Sequence, residues 1–234
     1  MTHLSDLRRS FLIIFFTLPL YISGCNSDGS VDNTAITNTD ESGSTSINLT
    51  VLVDLLNTIP LDTLSSAESD GLIFMREEEK LAHDVYTYLF TQWDSNVFDN
   101  ISASEQTHTD AILILLERYS IPDPVGNNAE GIFVDATLQG LHDTLVAQGT
   151  ASLIDGLMVG AVIEEIDIID IQNLVDALEG SEDIALVYEN LMKGSRNHLR
   201  AFVNNLEAQG VSYQPQYLSQ DVYDAIINAV FEAG

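Results

Sequence analysis

Residues 104–119 read SEQTHTDAILILLERY. Wound as a helix, this stretch puts Glu105 and His108 on one face with Ile101, Ile112, Leu115 and Tyr119, because side chains three, four and seven apart lie above one another. Such a face belongs in a core, so a carboxylate and an imidazole occupy slots that favour hydrocarbon. Three other segments repeat the pattern. Leu72, Met75, Glu79, Ala82, Tyr86, Leu89 and Trp93 keep a three-four spacing with Glu79 in an interior slot. Leu157, Ala161, Glu164, Ile168, Ile171, Val175 and Leu178 do the same with Glu164 as the one charge. In Tyr188, Leu191, Ser195, His198, Phe202 and Leu206 the metal-capable residue is His198.

These stripes predict four long helices. The first starts near Ser65, where Ser65 and Glu68 have capping-box spacing, and runs to about Trp93. DSN turns the chain into a second helix over about 97–119, which IPDPVGNN ends with two prolines and a glycine. The third covers about 151–178, and GSED separates it from the fourth, about 184–210. No strand alternation appears inside these spans, so the expected fold is all-α: a four-helix bundle of two helical hairpins. The connection between the hairpins, about thirty residues with a helical piece ATLQGLHDTLVAQG, is long enough to cross the bundle. After an irregular SYQPQYLS, DVYDAIINAVFEA predicts a short C-terminal helix packed outside.

One polar residue in a core has ordinary explanations. A lone histidine can satisfy a hydrogen bond, Glu105 has the spacing to cap a helix starting at Ser102, and Glu77-Glu78-Glu79 reads as a solvated face. Four coincidences at one depth are different. Buried carboxylates without compensation cost several kcal/mol each and repel one another. A divalent cation removes that cost, since it requires anionic oxygens and neutral imidazoles together.

The phrase EKLAHDVY over residues 79–86 resembles the first-helix pattern of ferritins, bacterioferritins and rubrerythrins, a ligand Glu followed by Ala at plus three and Tyr at plus seven. Glu105-Gln-Thr-His108 is similar to the Glu-x-x-His of their second helix, Ala161-Val-Ile-Glu164 to the third, and His198 to the histidine of the fourth. The short, long, short connections fit the same ferritin-like topology. MREEEKLAHDVY, SEQTH and GSRNHLRAF in that order resemble more closely the DUF2202 family of ferritin-like proteins, over about residues 60–232. The resemblance implies a carboxylate-bridged pair of iron or manganese ions. Glu79 would be a terminal ligand, Glu105 a bridge, and His108, Glu164 and His198 the remaining ligands. Ser195 stands where the pattern has a second bridging glutamate. Asp167, one turn beyond Glu164, is the expected substitute, and His83 lies one turn beyond Glu79; a single-metal site is the alternative. The period directs Glu165 towards solvent, and it leaves Glu78 and Glu79 unresolved, a choice the resemblance makes in favour of Glu79. Arg196 and Arg200, beside His198, either orient ligand carboxylates or pair with surface acids.

The N-terminus carries a different message. Arg8 and Arg9 precede FLIIFFTLPLY, an apolar run of signal-peptide length, and then Ile22-Ser-Gly-Cys25 resembles a bacterial lipobox. Residues 1–24 are expected to be a signal peptide and Cys25, the chain's single cysteine, a lipid anchor in the membrane. Asn26 after it suggests an exported outer-membrane lipoprotein, by resemblance to Gram-negative ones. Residues 25–50, poor in large apolar side chains, are expected to form a flexible tether, and 51–234 the bundle.

The chain carries 36 acidic residues against 8 Lys plus Arg, a formal net charge of −28. This excludes nucleic acid as a natural partner, since the phosphates would be repelled. A phosphate loop and a nucleophile elbow are also missing. Metal ions are the expected partners, and self-association into a homo-oligomer stays open. Three functions remain: a di-metal oxidoreductase reacting with peroxide or oxygen, a metal-binding lipoprotein without turnover, and a metal-free helical partner-binding domain.

Overall fold

In the computed structural model, which describes residues 35–233, the first element among the described residues is an antiparallel hairpin, β1 (Thr37–Thr39) and β2 (Thr45–Ile47), with Thr37 opposite Ile47. Seven helices follow: α1 (Leu49–Leu56), α2 (Ser66–Trp93), α3 (Asn96–Arg118), α4 (Ala136–Gly149), α5 (Leu153–Asp176), α6 (Glu182–Ala208) and α7 (Gln220–Ile227). The expected all-α bundle is present. α2 lies along α3 and α5 along α6, and the long crossover between the two hairpins carries α4, which packs on α2 and α5.

Local chemistry sets the helix ends. The Ser65 hydroxyl accepts from the Glu68 N–H while the Glu68 carboxylate accepts from the Ser65 N–H, which completes the capping box. α2 ends at Asp94 in the left-handed region, φ 49°, which turns the chain sharply into α3. Between the helices, Leu72, Met75, Leu89, Ile101, Ile112, Leu115, Leu157, Ile171, Leu191 and Phe202 are buried on the stripes that the period assigned to the interior. Burial of each such side chain contributes about 1.5–3 kcal/mol.

Two expectations need correction. The segment from residue 36 onward does not behave as tether: Thr37, Thr45 and Ile47 are buried, and β2 packs against α3 and α6. In TNT and TSI alternate residues turn to opposite faces, Thr45 and Ile47 inward and Ser46 less buried between them, and α1 then starts at the Asn48 cap, whose side chain accepts from the Val51 N–H. The packed fold therefore takes in residues 36–50 as well as the expected 51 onward. The C-terminal helix, expected over 221–233, stops at Ile227. Beyond it, Glu232 is drawn onto Arg196 and Arg200, and its carbonyl accepts from Thr39 and Asn197. The signal-peptide and Cys25 expectations lie outside the described residues. No helix among those residues is long and apolar enough to cross a membrane.

Candidate metal centre

The middles of α2, α3, α5 and α6 meet around Glu105. Its Oε2 lies 2.8 Å from His108 Nδ1 and its Oε1 lies 2.8 Å from His198 Nδ1. Each Nδ1 has a second carboxylate near it. Glu79 Oε2 is 3.4 Å from His108 Nδ1, and Glu164 Oε2 is 3.6 Å from His198 Nδ1. The two imidazoles stack with centroids 5.4 Å apart and planes 18° from parallel. All five residues are buried. One ligand atom each from Glu105, His108 and His198 lies within 4.8 Å of the others. α3, expected to carry Glu105 and His108 on one interior face, runs unbroken through both, so Glu105 is a mid-helix residue and not a cap.

The outer nitrogens of both rings meet a single backbone residue. His108 Nε2 donates to the Thr45 carbonyl (2.8 Å), and His198 Nε2 accepts from the Thr45 N–H (3.3 Å). Such contacts fix ring orientation and turn both Nδ1 atoms inward; they also set opposite tautomers, neutral His108 leaving its Nδ1 lone pair free and neutral His198 carrying its proton on Nδ1, a proton that an ion bound there would displace together with the Thr45 N–H contact. The buried Tyr86 hydroxyl donates to Glu164 Oε1 (2.5 Å) and so holds that carboxylate from α2. On α6, the Ser195 hydroxyl donates to Asp167. His108 also needs Gly194, because a Cβ there would lie 2.4 Å from its Cε1.

Burial pushes the Glu79 carboxyl up to about 8, against the pull of His108, and raises Glu164 to about 7 with help from Glu105. Glu105 is held well below the usual range, because the two imidazoles outweigh its burial. Burial works to lower His198, yet the carboxylates of Glu105 and Glu164 raise it to about 9. Among the described residues, His108 Nδ1, His198 Nδ1, Glu79 Oε1, Glu78 Oε2 and Asp167 Oδ1 are buried without a directed hydrogen bond. The Nδ1 atoms are close to carboxylates in distance but not aligned with them. Buried polar atoms rarely stay unpartnered, and a cation among Glu105, His108 and His198 would engage the two imidazoles. The donor set fits a divalent ion.

Five of the six residues singled out from the sequence, Glu79, Glu105, His108, Glu164 and His198, thus converge. The sixth, Asp167, lies one turn along α5, against Ser195. His83 does not join them; its Nδ1 is 2.9 Å from Asp84. Glu165 is not turned to solvent. It is fully buried and accepts from the Tyr213 hydroxyl (2.6 Å) and the backbone N–H groups of Gln216, Tyr217 and Leu218. The Glu77-Glu78-Glu79 run is buried throughout, Glu77 accepting from the N–H groups of Val134 and Asp135. Arg196 and Arg200 pair with Glu232 and not with the buried carboxylates. Gly194 and the Thr45 backbone escaped the sequence reading, and Glu78, weighed there against Glu79, was passed over. Gly194 alone left a trace, as the small residue in GSRNH.

Residues 68–230 match the model of a family described as an uncharacterized protein domain, DUF2202. The chain belongs to the DUF2202 family. An uncharacterized protein of Methanocaldococcus jannaschii is 48% identical over 183 residues, 78% of this chain and 98% of that protein. The crystal structure of a hypothetical protein from Methanococcus jannaschii superposes with a TM-score of 0.73 at 49% identity, covering 74% of this chain and 99% of that one. The DUF2202 match begins at Glu68, so it takes in all four site helices and leaves out the hairpin bearing Thr45.

Proposed function

We propose that this DUF2202 protein holds a carboxylate- and histidine-ligated iron or manganese centre inside a ferritin-like bundle, used to handle small oxidants or the metal itself. The observation that carries this reading is the pair of inward-facing Nδ1 atoms, buried among Glu79, Glu105 and Glu164 without directed partners. Glu105, His108 and His198, with Glu79 and Glu164 beside them, would hold the metal. Iron or manganese bound there supplies one-electron exchange with a small oxidant. The chain's own part is to orient and to exclude water: Tyr86 fixes Glu164, Thr45 fixes both rings, and Phe202, packed 5.1 Å from Tyr86, closes the bundle beside the site. No cysteine pair is present to carry electrons, so reducing equivalents would come from another protein or small donor.

The test is metal content of the purified chain by plasma mass spectrometry, from cells supplied with iron or manganese, beside Glu105→Ala/His108→Ala. One or two ions per chain, lost in the double variant, is the expected result. No bound metal, with both proteins equally stable, would leave the metal-free partner-binding domain as the better account. The reading also includes an export signal and lipid attachment at Cys25 that hold the bundle at the outer membrane. Cys25→Ala is then expected to move the chain from the membrane to the soluble fraction on fractionation, and an unchanged distribution would refute the anchor.

A further inference from the structure

On α5, Met158, Val162 and Ile166 follow one another at four-residue steps, and on α4, which packs against it, Leu141 and Leu145 do the same. Side chains at that spacing form a row. The two rows, with the exposed Tyr217 beside them, wall an outer cavity of about 290 Å³. Its lining holds no Lys or Arg and a single acid, Asp155. A second cavity of about 10 Å³ is lined by Leu81, Ala82 and Ile163 and by Glu78, Glu164 and Asp167, all of them buried. That is room for one water-sized molecule. Leu141 and Ile166, both half-buried, belong to the walls of both cavities, which therefore adjoin at these two apolar residues. The inner cavity ends at the histidine site, because Glu164 Oε2 is 3.6 Å from His198 Nδ1. Other approaches lead elsewhere. The Thr45 peptide sits on the outer nitrogens of both rings, and the cavities along α6, beside Met192 and Arg196, touch none of Glu79, Glu105, His108, Glu164 and His198.

We propose that the two cavities in series are the entry of a small oxidant to the metal centre, with Leu141 and Ile166 as its gate. The route presupposes the metal centre proposed above, and it narrows the substrate class to uncharged, water-sized oxidants, hydrogen peroxide or dioxygen. Size is set by the inner cavity, where packed Leu81, Ala82 and Ile163 leave no room for the alkyl part of an organic hydroperoxide. Charge is set by the surroundings. No Lys or Arg lines either cavity, three carboxylates border the inner one, and the formal net charge of −28 repels anions. A gate of leucine and isoleucine also offers an ion nothing in place of its water shell, whereas a neutral molecule crosses it at little desolvation cost. Opening requires rotamer changes of two half-buried side chains, a fast motion at a protein surface.

The first readout needs no metal. Dissolved dioxygen is paramagnetic and speeds the nuclear relaxation of the methyl groups it reaches. In the metal-free full chain under dioxygen pressure, the methyls of Leu81 and Ile163 are expected to relax faster than those of Leu52 and Leu115, which are at least as buried but line neither cavity. Leu141→Trp, which fills the gate, should bring Leu81 and Ile163 down to the level of Leu52 and Leu115, and Leu141→Ala should raise them further; circular dichroism checks that both variants fold. The second readout is stopped-flow oxidation of the iron-loaded chain. Wild type is expected to react with hydrogen peroxide or dioxygen, the faster of the two naming the oxidant, and not with tert-butyl hydroperoxide. Leu141→Trp should slow the reaction at unchanged iron content, and Leu141→Ala should admit the tert-butyl compound. Relaxation alike at all four residues, or unchanged in Leu141→Trp, would overturn the route whatever the metal content. Oxidation of wild type by tert-butyl hydroperoxide as fast as by hydrogen peroxide would overturn the size limit. A chain that binds no iron or manganese but keeps fast relaxation at Ile163 would strike the metal centre and leave the passage to Glu164 standing.

Discussion

Two sets of buried carboxylates in this protein are neighbours in sequence and opposites in environment. Glu165 and Glu77 point out of the four-helix core into connecting segments, and there they accept from backbone N–H groups: those of residues 216–218 for Glu165, and 134–135 for Glu77. Glu164, Glu78 and Glu79, one or two residues away, point inward among other carboxylates and imidazoles, where oxygens of Glu78 and Glu79 find no donor. The outer set is a structural device, in which an anion gathers amide dipoles and fastens a loop. The inner set has acceptors in excess, and it makes physical sense once a positive charge joins it.

Substitutions should separate the two sets. The largest loss is expected at Glu165→Ala, which leaves three backbone N–H groups and the Tyr213 hydroxyl without their acceptor; the fall should be about 3–5 kcal/mol, read from the urea midpoint. A neutral result there would erase the distinction. Gly194→Ala comes next. Its Cβ would meet the His108 ring, so about 1–3 kcal/mol of stability and most of the metal uptake should go together, the first by thermal melt and the second by mass spectrometry.

Asp84 belongs to the outer class and supplies a test by pH. Burial works to raise its carboxyl, but hydrogen bonds from His83, Lys80 and the Gly131 N–H hold it below its ordinary 3.8. A folded-state value below the unfolded one means stabilisation that is full above about pH 3.8 and lost as pH falls through the depressed value. Asp84→Asn should therefore cost about 1–3 kcal/mol at pH 7, and its denaturation midpoint should converge on wild type in acid. A constant gap from pH 7 to pH 2 would contradict this. The smallest change in stability is expected at Glu79→Gln in the metal-free chain, within about 1 kcal/mol of wild type or slightly above it, because the variant removes a charge that burial already disfavours. A loss as large as that of Glu165→Ala would place Glu79 in the outer set.

Much of this arrangement was legible in the sequence, and the rest was hidden for a definite reason. Helix period placed Glu79, Glu105, His108, Glu164 and His198 on interior stripes, and one-turn spacing made Asp167 the expected substitute for the carboxylate missing at Ser195. What period does not carry is the position of backbone groups from distant loops. Glu77 and Glu165 looked solvated because their partners are amides of the crossover and of the segment before α7, with no side chain to announce them. Glu78 sat beside Glu79 in an ambiguous triplet, and only the packing of α5 against α2 assigns the two residues different neighbours. The hairpin went unread because its strands are three residues long and rich in threonine, a composition shared with tethers.

The peptide groups of Thr45 hold one further lesson, about genetics. Both histidines are read by that residue's carbonyl and N–H, not by its side chain. An alanine scan would keep both contacts and report instead on the buried Thr45 hydroxyl, which donates to the Gly43 carbonyl and accepts from Asn197 Nδ2. Thr45→Pro deletes the N–H that faces His198 while sparing the carbonyl, so proline, and not alanine, is the letter that makes the hairpin's hold on the two rings visible to a mutational screen.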